Sequence, residues 1–319
     1  MKIAAVGKWH KYSSYFLHGV VEGAIQNGWS AMGVDYVDGG LELAKSALRS
    51  YKPDFIFCHM LFSDDGPKVQ DKLKLLRGIK KYTGSKIFYQ MGDPRIIPRH
   101  PECKVDDLID AVLIAHQEHE QFSSYGVPII YWPYGTLKMD FPKKKENRYE
   151  MLFCGSYPSE SWLYQERTRF ISAMVKTKML KTLPEEGMSN TTFVTNELAS
   201  IAGAFLNILG KHDINMFLSL RPFQFIGAGA LSIQKYLKGI EKVFVDRKHH
   251  IVFDNFDVKE VLNLYKYFVV KHPEKGETIR REGWEYCQQN HPYQIRMKDV
   301  IDVFSGKRDR VRYLLEDYK

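Results

Sequence analysis

Short apolar runs alternate with amphipathic stretches through the first half of the chain. An unbroken apolar run predicts a buried strand at residues 3–7, and the pattern that follows predicts a helix from about residue 14, closed by Gly28 as a C-cap. Further strands are predicted at residues 30–36, 54–60, 86–90, 110–115 and 128–131, with helical patterns such as 67–82 between several of them. This alternation indicates a parallel sheet covered on both faces, which is a Rossmann-like domain.

The same alternation restarts after residues 132–148, whose prolines, glycine and basic run are typical of a solvated linker. Strands are predicted at residues 151–154, 204–209, 230–233 and 251–253, and helices over 159–177, from 196, from near 222, and after 253 to the C terminus. The pattern therefore predicts an α/β chain with two Rossmann-like domains, at residues 1–140 and 150–290. We expect the helices of residues 291–319 to pack back on the first domain.

Length and charge agree with this division but name no partner. A chain of 319 residues suits two domains of about 150 residues each. The net charge is +8, and residues 1–149 contain 21 basic against 17 acidic residues, so the excess is spread over both halves. A basic surface helps to hold nucleotide diphosphates, nucleic acid or an acidic membrane without choosing among them.

Other classes of protein find little support in the sequence. No window approaches the ~20 apolar residues of a membrane span, and the start lacks a signal-peptide core, so a cytoplasmic location is expected (the host cytoplasm if the chain is phage-encoded). His116 and His119 lack a third ligand and are interpreted as surface residues, and no metal site is indicated. Reduced, mostly buried thiols are predicted for the four cysteines, which have no Cys-x-x-Cys spacing: Cys58, Cys103, Cys154 and Cys287.

Ligands of open α/β sheets bind beyond the carboxyl ends of the strands, and residues 220–231 are the strongest candidate there. A proline suited to the first helical position follows Arg221, so free N–H groups, the helix dipole and the guanidinium could together hold a diphosphate. Gln224 is placed to reach a pair of ribose hydroxyls, and Gly227 and Gly229 permit close backbone approach. An ordinary core helix capped by Gly229 explains the same spacing equally well.

This segment and its surroundings resemble the C-terminal domain of GT-B glycosyltransferases, notably the CgeB-like family. The resemblance covers about residues 150–305, with these counterparts: Leu206-Asn207, Arg221, Gln224, Gly229 and residues 231–233. It implies a GT-B fold, in which two Rossmann-like domains face each other across a cleft, with the acceptor on the first and a nucleotide sugar on the second. The family's ribose-binding glutamate is Gln224 here, which cannot accept from two hydroxyls as a carboxylate does, so donor choice or affinity is expected to differ.

A second resemblance, to phage DNA β-glucosyltransferases, bears on the diphosphate site and the acceptor. Those enzymes transfer glucose from UDP-glucose to 5-hydroxymethylcytosine, and the similar segments are residues 92–98, 152–157 and 221–224. The resemblance implies that Gly155 and Ser156 hold the donor diphosphate together with an arginine. Because residues 158–165 look like an insertion, that arginine is either Arg167 or Arg169. The resemblance also implies double-stranded DNA as an acceptor.

The same resemblance makes Asp93 the general base. A strand-end carboxylate is also chemically suited to take the proton of an acceptor hydroxyl. The alternative is a turn cap, since Asp-Pro commonly opens turns, and Asp64 and Asp65 are rival carboxylates in another strand-end loop.

The leading hypothesis is therefore a hexosyltransferase that moves a sugar from a nucleotide-diphosphate donor, a UDP-sugar, to a hydroxyl such as that of 5-hydroxymethylpyrimidine in phage DNA. No tightly bound cofactor is predicted beyond that donor. One alternative is a glycosyltransferase acting on a polysaccharide, a lipid-linked glycan or a protein. Another is a degenerate GT-B binding module, for which Gln224 is the main argument.

Overall fold

The computed structural model describes residues 1–9, 14–59, 61, 66–91, 107–116, 126–146, 148–155, 157, 164–183, 196–209 and 215–318. The chain divides into two compact units. Unit 1 comprises Met1–Tyr134 and Tyr293–Arg312, and unit 2 comprises Gly135–Pro292 and Tyr313–Lys319.

The described part of unit 1 forms one sheet of six parallel strands. In chain order they are β1 (Lys2–Gly7), β2 (Ser30–Asp35), β3 (Phe55–His59), β4 (Lys86–Met91), β5 (Ala111–Ile114) and β6 (Ile129–Tyr131). The order across the sheet is β2-β1-β3-β4-β5-β6. Each strand lies where an apolar run predicts it, because strands buried on both faces need apolar side chains at successive positions.

Three helices connect these strands: α1 (Ser14–Gln26), α2 (Leu41–Tyr51) and α3 (Val69–Thr83). Helix α3 shows why the sequence folds this way, since Leu73, Leu76 and Ile79 recur at helical spacing and are buried in the core. Burial of each such side chain contributes roughly 1.5–3 kcal/mol. The helix ends at Gly84, which adopts the left-handed conformation (φ 74°) that favours glycine.

The described part of unit 2 forms a second sheet of five parallel strands. They are β7 (Tyr149–Cys154), β8 (Leu180–Leu183), β9 (Ala202–Asn207), β10 (Ser232–Lys235) and β11 (Ile251–Phe253), in the order β11-β10-β9-β7-β8. The helices are α4 (Gln165–Lys176), α5 (Asn196–Ile201), α6 (Leu220–Gly227), α7 (Val258–Tyr265), which continues as a π-helix (Lys266–Lys271), and α8 (Pro273–Asn290). Two details differ from the prediction. Strand β8 was missed because this edge strand alternates buried and solvent-facing residues and has no apolar run, and α6 begins two residues before its proline.

The last helix, α9 (Tyr293–Phe304), belongs to unit 1. It packs on α1, where a Cβ added to Gly19 would lie 2.2 Å from the Tyr293 ring and one added to Gly23 would lie 2.5 Å from the Tyr293 carbonyl oxygen. Asn27 Nδ2 donates to the Gln294 carbonyl at 2.8 Å. The two glycines, one helical turn apart, therefore make room for the start of α9.

Both sheets have a topological switch point, where the strand order reverses. It lies between β1 and β3 in unit 1 and between β7 and β9 in unit 2. In such sheets the connections on either side of the switch point leave in opposite directions, which opens a crevice at the carboxyl edge. Ligand sites are therefore expected at the carboxyl edges of the two sheets.

Several smaller predictions can also be checked. The cysteines that the structure describes, Cys58, Cys154 and Cys287, are buried free thiols, as predicted. His116 was wrongly expected at the surface, since it lies two residues beyond β5 and is fully buried, and His119 lies outside the described residues. No helix in the described ranges is long and apolar enough to cross a membrane, and the described residues contain no group of three His, Cys, Asp or Glu side chains that could hold a metal ion.

Candidate functional site

Arg221 reaches from the first turn of α6 to the switch point of unit 2. Its Nη1 donates to the carbonyl oxygen of Ile208, just beyond β9, at 3.1 Å. On the other side, a Cβ added to Gly155, which directly follows β7, would lie 2.5 Å from Arg221 Nη2. Glycine at position 155 therefore leaves room for the guanidinium, which spans the carboxyl ends of the two strands that flank the crevice.

No carboxylate in the described part of the chain neutralises the charge of Arg221. The side chain is half-buried, and loss of water around the guanidinium lowers its pKa, although an arginine keeps its proton even so. Within the described part of the chain it forms no ion pair with a carboxylate. A partly desolvated cation without a counter-charge among the described residues is unfavourable, so this arrangement is suited to an anionic ligand.

A second arginine lies close to the same place. The Cζ atoms of Arg221 and Arg167 lie 5.6 Å and 5.8 Å from the centroid of the Phe153 ring, and Arg167 also stacks on Tyr164 at 3.9 Å. Arg167 is only 4% exposed, whereas Arg169 lies on the exposed face of α4. The sequence left two candidates for the second diphosphate arginine, Arg167 and Arg169. Of these, Arg167 lies beside the same aromatic ring as Arg221. The ring faces offset part of the desolvation of the two cations.

The start of α6 leaves polar atoms without partners. Its N-cap residue, Ser219, makes no capping hydrogen bond, and its buried Oγ has no partner among the described residues. One turn after Arg221, Gln224 is 1% exposed, and in the described ranges its Oε1 also lacks a donor. An unsatisfied buried polar atom costs about 1–3 kcal/mol. Both groups could be satisfied by the hydroxyls of a ligand.

A chain of amides continues from this place along the carboxyl edge. Asn207, which ends β9, donates from Nδ2 to Gln234 Oε1 at 2.5 Å, and Gln234 Nε2 donates to the Lys235 carbonyl at 2.7 Å. Asn207 Oδ1 has no partner within the residues that the structure describes. Burial lowers the pKa of Lys235, against the opposing effect of three nearby carboxylates. Sequence reasoning missed Gln234 and Lys235, although a polar residue that ends an apolar strand is a usable signal.

The glycines predicted for this site have different environments. Gly155 lies at the switch point, as described above. Gly227 ends α6. A Cβ added to Gly227 would lie 1.8 Å from Thr136 Oγ1, and the Gly227 carbonyl oxygen accepts a hydrogen bond from Gln288 Nε2 at 2.9 Å. Packing thus accounts for Gly227 without a ligand, and its binding role stays a prediction. Gly229 closes the helix with φ 76°, as a cap requires.

The remaining predicted residues cannot be placed. Ser156 and the candidate base Asp93 lie outside the described residues, as do the rival carboxylates Asp64 and Asp65. Their roles stay predictions.

The carboxyl edge of unit 1 contains buried polar groups of a different kind. Burial lowers the pKa of His59, at the end of β3, to about 4, and its Nδ1 has no partner in the described residues. Gln90 Nε2, near the end of β4, donates to Tyr134 Oη at 2.8 Å, and burial raises the pKa of Tyr134 to about 12. All three side chains are therefore uncharged at neutral pH.

Comparison with known proteins agrees with this geometry. Residues 189–302 match the family model described as glycosyl transferase-like. The matched segment contains α6 with Arg221 and Gln224, together with β9, β10 and β11. This assignment is coarser than the CgeB-like resemblance of the sequence. A search of curated proteins gives no significant match.

Similar solved structures share the fold at low sequence identity. An alpha-glucosyltransferase in complex with UDP-glucose and DNA containing an abasic site has a TM-score of 0.68 at 12% identity, covering 96% of this chain and 99% of that one. HepE of Anabaena in complex with UDP-glucose has a TM-score of 0.59 at 10% identity, covering 96% and 100%. Sucrose-phosphate synthase of Thermosynechococcus elongatus has a TM-score of 0.58 at 9% identity, covering 96% and 99%. The chain thus has the GT-B fold of glycosyltransferases, and its second unit carries a glycosyl transferase-like sequence.

Proposed function

We propose that the chain is a glycosyltransferase that binds a UDP-sugar, UDP-glucose in the first instance, at the carboxyl edge of unit 2. One observation carries the proposal: Arg221 lies half-buried at the switch point without a carboxylate partner in the described ranges. A donor diphosphate supplies the missing negative charge. The same contact stabilises the UDP leaving group as its charge develops, which is how such a site speeds transfer.

The neighbouring groups extend this assignment to the rest of the donor. Arg167 lies beside the same Phe153 ring and gives the diphosphate a second cationic partner. Gly155 leaves room for the Arg221 guanidinium beside the diphosphate, and Ser156 follows it in the sequence. Gln224, whose Oε1 has no donor in the described part of the chain, accepts a hydrogen bond from a ribose hydroxyl. We keep the CgeB-like membership as a prediction.

Two similar structures support UDP-glucose as the donor to test first. HepE and the DNA-bound alpha-glucosyltransferase are both complexes with UDP-glucose. They share 10% and 12% of their residues with this chain, so they support the fold of a UDP-sugar site and leave the identity of the sugar to experiment.

For the acceptor we propose the hydroxyl of a 5-hydroxymethylpyrimidine in double-stranded DNA. The DNA-bound alpha-glucosyltransferase supports this choice, and so does the positive charge spread over both halves of the chain. Asp93 is the proposed base. Attack assisted by such a base on an α-linked donor inverts the anomeric carbon and gives a β-glucoside. The DNA-bound neighbour is an alpha-glucosyltransferase, so the anomeric configuration of the product tests whether Asp93 is the base.

The test is a transfer assay with the full chain. UDP release from UDP-glucose would be measured with hydroxymethylated duplex DNA, unmodified duplex DNA and an oligosaccharide, and GDP- and ADP-glucose would serve as control donors. We expect release with UDP-glucose that depends on the hydroxymethyl group, and a glucosylated base in the product. Release that depends only on the oligosaccharide would reject DNA as acceptor and keep the donor assignment. No release and no binding of any nucleotide sugar would reject the function.

The product also decides the role of Asp93. Its anomeric configuration can be read from the proton coupling constant of the transferred sugar. A β-glucoside is expected, whereas an α-glucoside would remove Asp93 from the role of base and leave the donor site as proposed.

A further inference from the structure

A cavity of about 310 Å³ opens at the amino ends of the strands of unit 2. It is lined by Gly203 near the start of β9, by Leu231 just before β10, and by Gly276 in the first turn of α8. Arg221 and Gly155, by contrast, lie at the carboxyl ends of the same strands. The cavity is therefore separate from the proposed donor site.

Arg280 lines this cavity and is only 3% exposed. Its Nε donates to the Gly229 carbonyl at 2.8 Å and its Nη1 to Glu277, while its Nη2 has no hydrogen-bond partner in the described ranges. Burial lowers the pKa of Arg280, chiefly by removing water from the guanidinium. One edge of the buried guanidinium thus forms no hydrogen bond with the described residues, and Cζ lies 5.1 Å from the centroid of the Phe141 ring.

A lysine adds a second cation at the rim of the cavity. Lys144 is exposed, but its Nζ donates to the Ala202 carbonyl. Desolvation and then the charge of Arg280 lower the pKa of Lys144 to about 8, against the effect of Glu277. Lys145 and Glu146 also line the cavity, so among its described lining residues three cations face two carboxylates.

We propose that this cavity is a second anion-binding site, specific for a phosphate monoester and distinct from the donor site. The phosphate lies between Arg280 and Lys144, where a dianion offsets the surplus positive charge and restores the ammonium ion of the lysine. The first turn of α8 lies beside it and adds the favourable end of an 18-residue helix dipole. Phe268, Val269 and Leu231 give the organic part of the ligand an apolar wall.

The test uses the full chain with its donor site filled by saturating UDP. Inorganic phosphate and glycerol 3-phosphate would be titrated calorimetrically into the wild type and into two lysine variants. We expect saturable binding that weakens about tenfold or more in Lys144→Ala, since a charge-assisted contact is lost, and is unchanged in Lys143→Ala, which removes an exposed charge one residue away that does not line the cavity. Arg280→Lys, which keeps the charge and loses the fork of donors, should also weaken binding.

Proton uptake gives a second readout. Phosphate raises the pKa of Lys144 from about 8, so at pH 8.5 binding should take up protons and its heat should depend on the ionisation enthalpy of the buffer. Absence of saturable binding would overturn the proposal, as would equal affinity in Lys144→Ala and the wild type. Arg221→Met separates the two sites: it should weaken UDP binding by about 100-fold or more and leave phosphate binding intact, and loss of both would show that phosphate occupies the donor site.

Discussion

The two sheets share one strand order around their switch points, yet the polar side chains described near their carboxyl edges differ. In unit 2 the groups that flank the crevice include Arg221 and Arg167 around one aromatic ring. In unit 1 the polar groups described at this edge include His59, Gln90 and Tyr134, which are uncharged at neutral pH. The same topology thus provides a crevice twice, and the side chains that end the strands decide what each crevice can bind.

This difference matches the two substrates of the proposed reaction. A nucleotide sugar carries a diphosphate and needs cations, whereas an acceptor hydroxyl is neutral and needs hydrogen bonds and a base. In this proposal the donor is therefore bound by unit 2 and the acceptor hydroxyl by unit 1. Variants on either side should change different kinetic constants.

The largest effect is expected on the acceptor side. Asp93→Asn keeps the shape of the side chain but cannot accept a proton, so kcat should fall by roughly 10²–10⁴-fold. Donor affinity, measured by calorimetry with UDP-glucose, should not change. If turnover stays near normal, Asp93 is a turn cap, because asparagine caps almost as well as aspartate. Asp64→Asn and Asp65→Asn are then the next variants to assay.

On the donor side the two arginines of α4 make a matched pair. Arg167→Ala removes a charge near the Phe153 ring and should raise KM for UDP-glucose about tenfold, as expected for one charge-assisted contact. Arg169→Ala removes an equal charge from the exposed face of the same helix and should leave KM unchanged. Equal effects of the two variants would mean that general charge, rather than the position of Arg167, attracts the donor.

A smaller effect is expected from Gln224. Gln224→Met keeps the length of the side chain and removes the buried Oε1 that lacks a donor in the described residues. Donor affinity should fall about 3–10-fold through loss of one hydrogen bond, while the free energy of unfolding without donor should stay the same or rise. Unfolding by urea and calorimetric titration of one preparation would measure both. Lower stability with unchanged affinity would make Gln224 a structural residue.

The smallest effect concerns stability in acid. Burial, and then the neighbouring His249, lower the pKa of His250 to about 3, and neither ring nitrogen has a partner among the described residues. Because the unfolded residue titrates near 6.5, its contribution to stability is complete above that pH and is lost progressively as the pH falls towards 3. His250→Leu should therefore lose less stability than the wild type between pH 7 and 5. Melting curves of the variant and the wild type at pH 7 and 5 would measure this difference. An equal loss of stability in the two proteins would contradict the prediction.

The pattern of apolar residues along the chain was enough to predict most of the strands and helices. Buried strands such as β1 and β9 are unbroken apolar runs, and Arg221 stands out because it precedes a proline and a glycine-rich helix end. Edge strand β8 was missed because half of its side chains face solvent and interrupt the apolar pattern.

Other features depend on which residues the fold brings together. The choice between Arg167 and Arg169 requires knowing which face of α4 packs on the sheet. The bond between Asn207 and Gln234 depends on the register of β9 and β10, and the cavity joins Lys144 to Arg280, far apart in the chain. No local pattern encodes such pairs.

The most direct test of the donor site is a paired measurement on Arg221→Met, with Arg169→Met as the control. Calorimetry would give the affinity for UDP-glucose, and denaturant unfolding without donor would give the stability. We expect affinity to fall by about 100-fold or more, because two or more charge-assisted hydrogen bonds to the diphosphate are lost. Stability should stay the same or rise, since a half-buried cation without a carboxylate partner in the described ranges is replaced by an apolar side chain of similar length. Normal affinity for UDP-glucose in a folded Arg221→Met protein would contradict the donor site proposed for unit 2.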